Sequence, residues 1–211
     1  MILGCLVLFL APIVWAQEKV EAPVWNVGDK WTYKDVTGST WTNEVKDSKE
    51  DLFIVKMGGI QDLYASDYEE IQDLYAFDKK TMNVKFLIGE SGKRLKSRIR
   101  PGKILNFPMF VGKKWTDTNT KIPIGGSSEV TYLSEFKIES VETVTTLAGS
   151  FKAYKIYYKL TNMGYRGSSG WFRVWYAPDV KTWIKREVEK TGFFARAYEL
   201  QDAELISYEL K

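Results

Sequence analysis

Along most of this chain, β-branched and aromatic residues alternate with polar ones over short runs that Gly, Pro, Asp or Asn interrupt. A period of two is the mark of a strand with one covered face, and no stretch carries the 3.6-residue period of an amphipathic helix. The pattern predicts strands at Lys30–Val36, Thr40–Lys46, Leu52–Met57, Leu74–Phe77, Met82–Leu87 and Arg94–Ile99 in the amino-terminal half. In the other half it predicts Lys114–Thr118, Glu129–Ile138, Val141–Thr146, Phe151–Thr161, Trp171–Tyr176, Thr182–Glu189 and Ala195–Tyr208. Turn chemistry separates them, as at Thr37-Gly38-Ser39, Ala148-Gly149-Ser150 and Ala177-Pro178-Asp179. The expectation is an all-β protein, a curved antiparallel sheet or partly open barrel built from meanders with few or no helices, a short helical turn at Asp67–Gln72 being the alternative there.

Two internal similarities bear on organisation. Val27-Gly28-Asp29-Lys30-Trp31-Thr32 is echoed by Val111-Gly112-Lys113-Lys114-Trp115-Thr116. Each copy can open one half of the sheet, its Gly making a tight turn and its Trp anchoring the core, so pseudo-repeated halves at 25–105 and 107–211 stand beside the plainer reading of a reused turn. Ile60-Gln61-Asp62-Leu63-Tyr64-Ala65 recurs as Ile71-Gln72-Asp73-Leu74-Tyr75-Ala76 and reads as a tandem duplication that lengthened one hairpin.

The first residues break the alternation. MILGCLVLFLAPIVWA is an uncharged apolar run that ends with Val14 and Ala16 before Gln17, the pattern of a secretory signal peptide and too short for a bilayer span. The expected division is a leader at 1–16 and one antiparallel β domain at 17–211, exported to the periplasm or secreted. Leu3-Gly4-Cys5 resembles the end of a lipobox, but the apolar run follows Cys5 instead of preceding it, which favours a soluble product over an anchored lipoprotein.

Composition then narrows the chemistry. The chain is 45% hydrophobic, 27% charged and 15% aromatic, which suits a folded β protein, and its net charge of +3 singles out no partner. It contains no His, and its one Cys lies in the expected leader. A Ser-His-Asp triad, a thiolate nucleophile and the usual nitrogen or sulfur zinc site are excluded on residue types. No phosphate-binding loop or dinucleotide fingerprint follows a strand. The chain reads as non-catalytic, with no cofactor, no metal and no nucleic-acid partner; a carboxylate-pair hydrolase is the remaining enzymatic option. Asp67, Glu69 and Glu70 lack the spacing of a calcium loop and read as a solvated stretch.

Two constellations remain. Arg94, Lys96, Arg98 and Arg100 occupy alternate positions, placing four cations on one face of a strand, where they would hold a polyanion such as a phosphate-bearing lipid or guard a sheet edge. The second is the aromatic hairpin from Trp171 to Glu187. Alternation puts Trp171, Arg173 and Trp175 on one face and Phe172, Val174 and Tyr176 on the other. With the turn centred near Asp179, Trp175 faces Trp183 and Arg173 faces Lys185 or Glu187. Trp171, Arg173, Trp175, Trp183 and Lys185 are thus the candidate ligand-binding set for a lipid or glycan, and the same residues read equally as a cross-strand ladder that stabilises the sheet. The leading expectation is an exported, non-catalytic binding module, a carrier whose curved sheet accepts an apolar or amphipathic envelope molecule on its concave side, and the alternative is a structural or protein-interaction component without a small-molecule ligand; an open apolar cavity lined by the tryptophans would favour the first, filled packing the second.

The spacing of Trp25-x-x-Gly28-x-x-Trp31-x-Tyr33, of Phe107-Pro108 with Val111-Gly112-x-x-Trp115, and of Ala148-Gly149-x-Phe151-x-Ala153-Tyr154-Lys155-Ile156 leading to Trp175-Tyr176-x-Pro178-x-Val180 and Ile184-Lys185-Arg186-Glu187 resembles a class of exported bacterial β-sheet proteins known only as domains of unknown function. Some of that class are compared with periplasmic lipoprotein carriers. The resemblance implies export and a curved antiparallel sheet; it transfers no site residue.

Overall fold

A computed structural model describes residues 18–58, 71–89, 103–121, 130–164, 169–189 and 201–211. Their strands are β1 (Lys30–Asp35), β2 (Thr40–Lys49), β3 (Leu52–Met57), β4 (Ile71–Asp78), β5 (Val84–Gly89), β6 (Lys114–Lys121), β7 (Val130–Thr146), β8 (Gly149–Asn162), β9 (Ser169–Ala177), β10 (Thr182–Val188) and β11 (Ala203–Glu209). A single 3-10 turn, Pro178–Val180, joins β9 to β10, and the described residues contain no α-helix. The expected leader, the duplicated segment's first copy, Asp67, Glu69 and Glu70 all lie outside the described residues, as does the cation row Arg94, Lys96, Arg98 and Arg100.

The strands form one 11-stranded sheet in the order β5-β4-β3-β2-β1-β11-β10-β9-β8-β7-β6, and it does not close into a barrel. Two antiparallel meanders, β1 to β5 and β6 to β11, run outward from a shared seam. The seam is the pairing of β1 with β11, from Lys30↔Glu209 to Asp35↔Ala203, so the first and last strands lie side by side in the middle of the sheet.

The two copies of the Val-Gly-x-Lys-Trp motif fold alike. Asp29 N–H donates to Asn26 O and Lys113 N–H to Phe110 O, closing turns in which Gly28 (φ 94°) and Gly112 (φ 86°) take the left-handed position of a type II turn. Each glycine N–H also donates to a neighbouring strand, Gly28 to Val45 O and Gly112 to Ile138 O. The motif therefore starts the first strand of each meander and ties it at once to the second.

The alternation predicts two strands at Glu129–Ile138 and Val141–Thr146, and the structure has one, β7. Its register passes from Ile138↔Ile156 to Ser140↔Lys155, leaving Glu139 as a bulge. The extra residue lets Ile138 and Val141, three apart, pack into the same cluster, a spacing that a regular strand would split between faces. The loss of period at Glu139 is a bulge rather than a turn.

Both faces of the sheet are covered. Consecutive residues on β9, Trp175 (3% exposed) and Tyr176 (2%), belong to different apolar clusters, and Ala153 and Tyr154 do the same on β8. The larger cluster gathers Trp25, Trp31, Tyr33, Phe53, Tyr75 and Ile184 among others, with Trp25 touching Trp31, Phe53 and Phe77 at ring separations of 5.3, 5.6 and 5.4 Å. The smaller joins Met109, Ile138, Tyr154, Ile156 and Tyr176 beneath the segment that Val20 and Met109 pin by a pair of backbone hydrogen bonds. An aromatic row, Trp115, Phe136, Tyr158 and Phe172, crosses four strands with successive centroids 4.9, 4.7 and 4.2 Å apart.

Candidate functional site

The hairpin β9–β10 keeps one expected pairing, Arg173 opposite Glu187, and departs from the expected register at Trp175. Trp175 pairs with Lys185, Tyr176 with Trp183 and Arg173 with Glu187. Trp175 does not face Trp183, because the connection spans Pro178 to Lys181, with Lys181 in the left-handed conformation (φ 61°), and sets Trp183 opposite Tyr176; Ile184 is then an extra residue that brings Lys185 opposite Trp175. Neither feature has an unambiguous signal in the sequence.

Four of the five expected site residues share one face. Trp175 is held between two ammonium groups, Lys155 Nζ and Lys185 Nζ at 5.1 and 5.0 Å from its ring centroid, and donates its indole N–H to Glu142 Oε1 at 2.6 Å. That hydrogen bond is the main reason why the Glu142 carboxyl lies below its ordinary pKa. One step along the strands, the Arg173 guanidinium lies 4.6 Å from Trp171 and 5.5 Å from Tyr157 and bonds Glu139 through Nε at 3.1 Å. Cations along the face have carboxylate neighbours, Lys185 with Glu187 on the same strand at 3.0 Å and Lys159 with Glu135 across β8 and β7 at 3.6 Å. The result is a ladder of cation, ring and carboxylate in which the Trp175 ring is covered. Exposed pairs of this kind each contribute about 0.5–1 kcal/mol.

Trp183 goes elsewhere. Its ring stacks on Tyr33 at 4.0 Å, and Tyr33 stacks in turn on Trp41 at 5.6 Å. The Tyr33 hydroxyl lies 2.9 Å from Thr182 Oγ1 and donates to Trp183 O at 3.1 Å, and full burial drives its pKa far above the ordinary phenol value against the Thr182 hydrogen bond. Arg186, absent from the expected set, caps the stack, its guanidinium carbon 5.5 Å from the Trp183 centroid and 5.9 Å from that of Trp41. Its Nε donates to Gln201 O at 2.9 Å, and burial lowers its pKa despite the nearby carboxylates of Asp202 and Asp35. Arg186 opens on a groove of about 400 Å³ between β1, β10 and β11, rimmed by Val36 and Leu147, which are 70% and 69% exposed. Simple alternation hides this site, since the Ile184 bulge and the meeting of β1 with β11 create it.

Among the described residues no three acidic side chains converge closely enough to hold a metal ion, and no helix is long and apolar enough to cross a membrane. No protein-family model matches the chain, and no curated protein matches it. Solved structures with a similar course include an exported protein of YmcC-like fold from Bacteroides fragilis, at 15% identity and TM-score 0.47 over 90% of this chain and 99% of that one. A lipoprotein from Parabacteroides distasonis is similar at 12% identity and TM-score 0.46, covering 92% and 100%. The hypothetical lipoprotein YmcC of Escherichia coli is similar at 9% identity and TM-score 0.44, covering 92% and 90%. Likeness at these values transfers neither a site nor an activity.

Proposed function

We propose that residues 17–211 form one exported, non-catalytic β domain that acts by contact at its surface and not as a carrier that stores an apolar molecule in its core. The observation that carries this reading is Trp175, 3% exposed, with Lys155 and Lys185 on its ring and Glu142 on its N–H. A sugar or acyl chain would have to displace both ammonium groups before reaching it. The absence of His and of any mature Cys supports the non-catalytic part, and the apolar run at 1–16 supports export.

The test is mass spectrometry of the protein purified from its native host, together with tryptophan fluorescence in the presence of phosphatidylethanolamine and phosphatidylglycerol vesicles. The expected results are an amino terminus at Gln17, no stoichiometric lipid and unchanged emission. A lipid retained at one equivalent, or a vesicle-dependent blue shift, would restore the carrier reading.

A further inference from the structure

We propose that residues 18–22 are a displaceable strap over a strand-docking bed formed by Met109 and β8, and that the bed takes an extended protein segment with the strap's own pattern, a carboxylate followed two residues later by a β-branched side chain. The proposal rests on the reading that the protein works by contact at its surface, and it supplies one contact and its chemistry.

The strap is bound as an added strand. Val20 N–H donates to Met109 O at 2.9 Å and Met109 N–H donates to Val20 O at 2.7 Å, an isolated antiparallel bridge that belongs to no ladder. In an extended segment alternate side chains share a side. Glu18 reaches Lys152 Nζ at 2.5 Å and Val20 packs on the cluster that contains Met109, Tyr154 and Tyr176, whereas Lys19 and Glu21 are exposed. Main-chain bonds thus hold the segment while the bed reads two alternate side chains, one acidic and one aliphatic.

Little holds the strap in place. Among the described residues, that pair of hydrogen bonds and the Glu18–Lys152 ion pair are the polar ties of residues 18–24, and both ion-pair partners are more than half exposed, so solvent screens their attraction. The chain is anchored only at Trp25, through its indole bond to Lys181 O and its packing on Trp31, Phe53 and Phe77. The strap also matches the bed imperfectly. The hydroxyls of Tyr154 and Tyr176, cross-strand partners on β8 and β9 within the same cluster, are buried and have no hydrogen-bond partner among the described residues. Buried hydroxyls left unpaired favour an open bed that water reaches, or an occupant that supplies the missing partner, over the strap.

The experiment is titration of the full chain with acetyl-Glu-Lys-Val-Glu-Ala-amide, followed by calorimetry and amide hydrogen exchange, beside two control peptides that carry Lys for the first Glu or Asp for the Val. V20D puts a carboxylate against the apolar bed and releases the strap without altering the bed. It is expected to speed exchange at the Met109 amide, to leave the amides of the β1–β11 seam unchanged, and to bind the peptide about tenfold more tightly than the parent, since the internal competitor is gone. Neither control peptide is expected to bind V20D. Adding K152E to V20D is expected to abolish binding of the first peptide and to create binding of the Lys control. The proposal is overturned if V20D binds no more tightly than the parent, if either control matches the first peptide on V20D, or if K152E leaves binding intact. Faster exchange at the seam in V20D would make the strap part of the sheet's framework and overturn it as well. A parent that dimerises with rising concentration while V20D stays monomeric would assign the bed to the strap of a second copy, overturning the claim of a foreign segment. A lipid retained through purification would defeat the surface-contact reading while leaving the peptide titration unchanged, so the two failures are distinguishable.

Discussion

Trp31 donates its indole N–H to the carbonyl oxygen of Val180 at 2.7 Å, joining residues 149 apart in sequence. Trp25 does the same to the next carbonyl, Lys181 O, at 3.0 Å. The 3-10 turn between β9 and β10 is thus fastened from the start of the chain, and both tryptophans are held in one orientation by a donor as well as by packing. Trp31→Phe keeps an aromatic ring in place and leaves a buried carbonyl without its donor. The expected loss is about 1–3 kcal/mol in urea unfolding, with a smaller loss for Trp25→Phe, whose hydrogen bond is only partly buried.

Asp29 makes a second tie between the same regions. Its carboxylate is fully buried and accepts from Asn26 N (2.9 Å), Lys211 N (2.8 Å) and Lys181 Nζ (3.2 Å), so that the β1 turn, the carboxyl terminus and the β9–β10 connection meet on one side chain. Asp29→Asn replaces one acceptor oxygen with a donor and leaves Lys181 unpaired. A loss of about 1.5–3 kcal/mol is expected, and adding Lys181→Met to the Asp29→Asn variant is expected to recover part of it. A double-mutant cycle followed by thermal unfolding measures that coupling.

These ties also show which parts of the fold the sequence discloses. Strand positions follow from short runs of β-branched and aromatic residues bounded by turn residues; β3 has the very ends, Leu52 and Met57, that the sequence predicts, although Phe53, Ile54 and Val55 are all buried because both faces are covered. The two Val-Gly-x-Lys-Trp turns are equally legible, since a glycine at positive φ followed by a buried or stacked Trp is a local arrangement. What alternation misses are single-residue insertions. Glu139 and Ile184 each shift a register by one, and the second sets Lys185 rather than Ile184 opposite Trp175. Arg186 is likewise hidden, because its surroundings include β1 and β2, across the seam and more than a hundred residues away, and no local pattern encodes that β1 lies beside β11.

The amino-terminal meander carries an acid-sensitive cluster. Lys85 Nζ lies 2.7 Å from Asp51 Oδ2 and 2.8 Å from Asp78 Oδ2, and Thr81 N donates to Asp78 at 2.8 Å. The Lys85 hydrogen bond leads in holding the Asp78 carboxyl down at about 2, against burial and with help from Thr81. A folded-state pKa below the ordinary value means that the stabilisation is present above about pH 4 and is lost as pH falls toward about 2. Lys85, raised by Asp51 and then Asp78, has the opposite sign: its contribution is present below about pH 10.4 and fades as pH rises beyond it. Denaturant midpoints measured from pH 5 to pH 2 are expected to fall more steeply in the parent than in Asp78→Asn, whose curve loses this component.

The paired turns offer a comparison in which the backbone is the same and the surroundings differ. Gly28 and Gly112 have φ of 94° and 86°, where an L side chain is strained, so alanine at either site is expected to lose about 1–2 kcal/mol. At Gly112 nothing lies within 4 Å of an added Cβ, whereas at Gly28 the new carbon would sit 3.2 Å from Lys211 Cγ. The Lys211 stem can swing away, but its backbone N–H is committed to Asp29, so the adjustment disturbs a tied end. Gly28→Ala is therefore expected to be the more destabilising of the two. Adding Lys211→Ala removes the Cγ and should bring the two losses together, as measured by urea unfolding of the four variants. Equal losses with Lys211 present would show that the carboxyl terminus bears no strain from the turn.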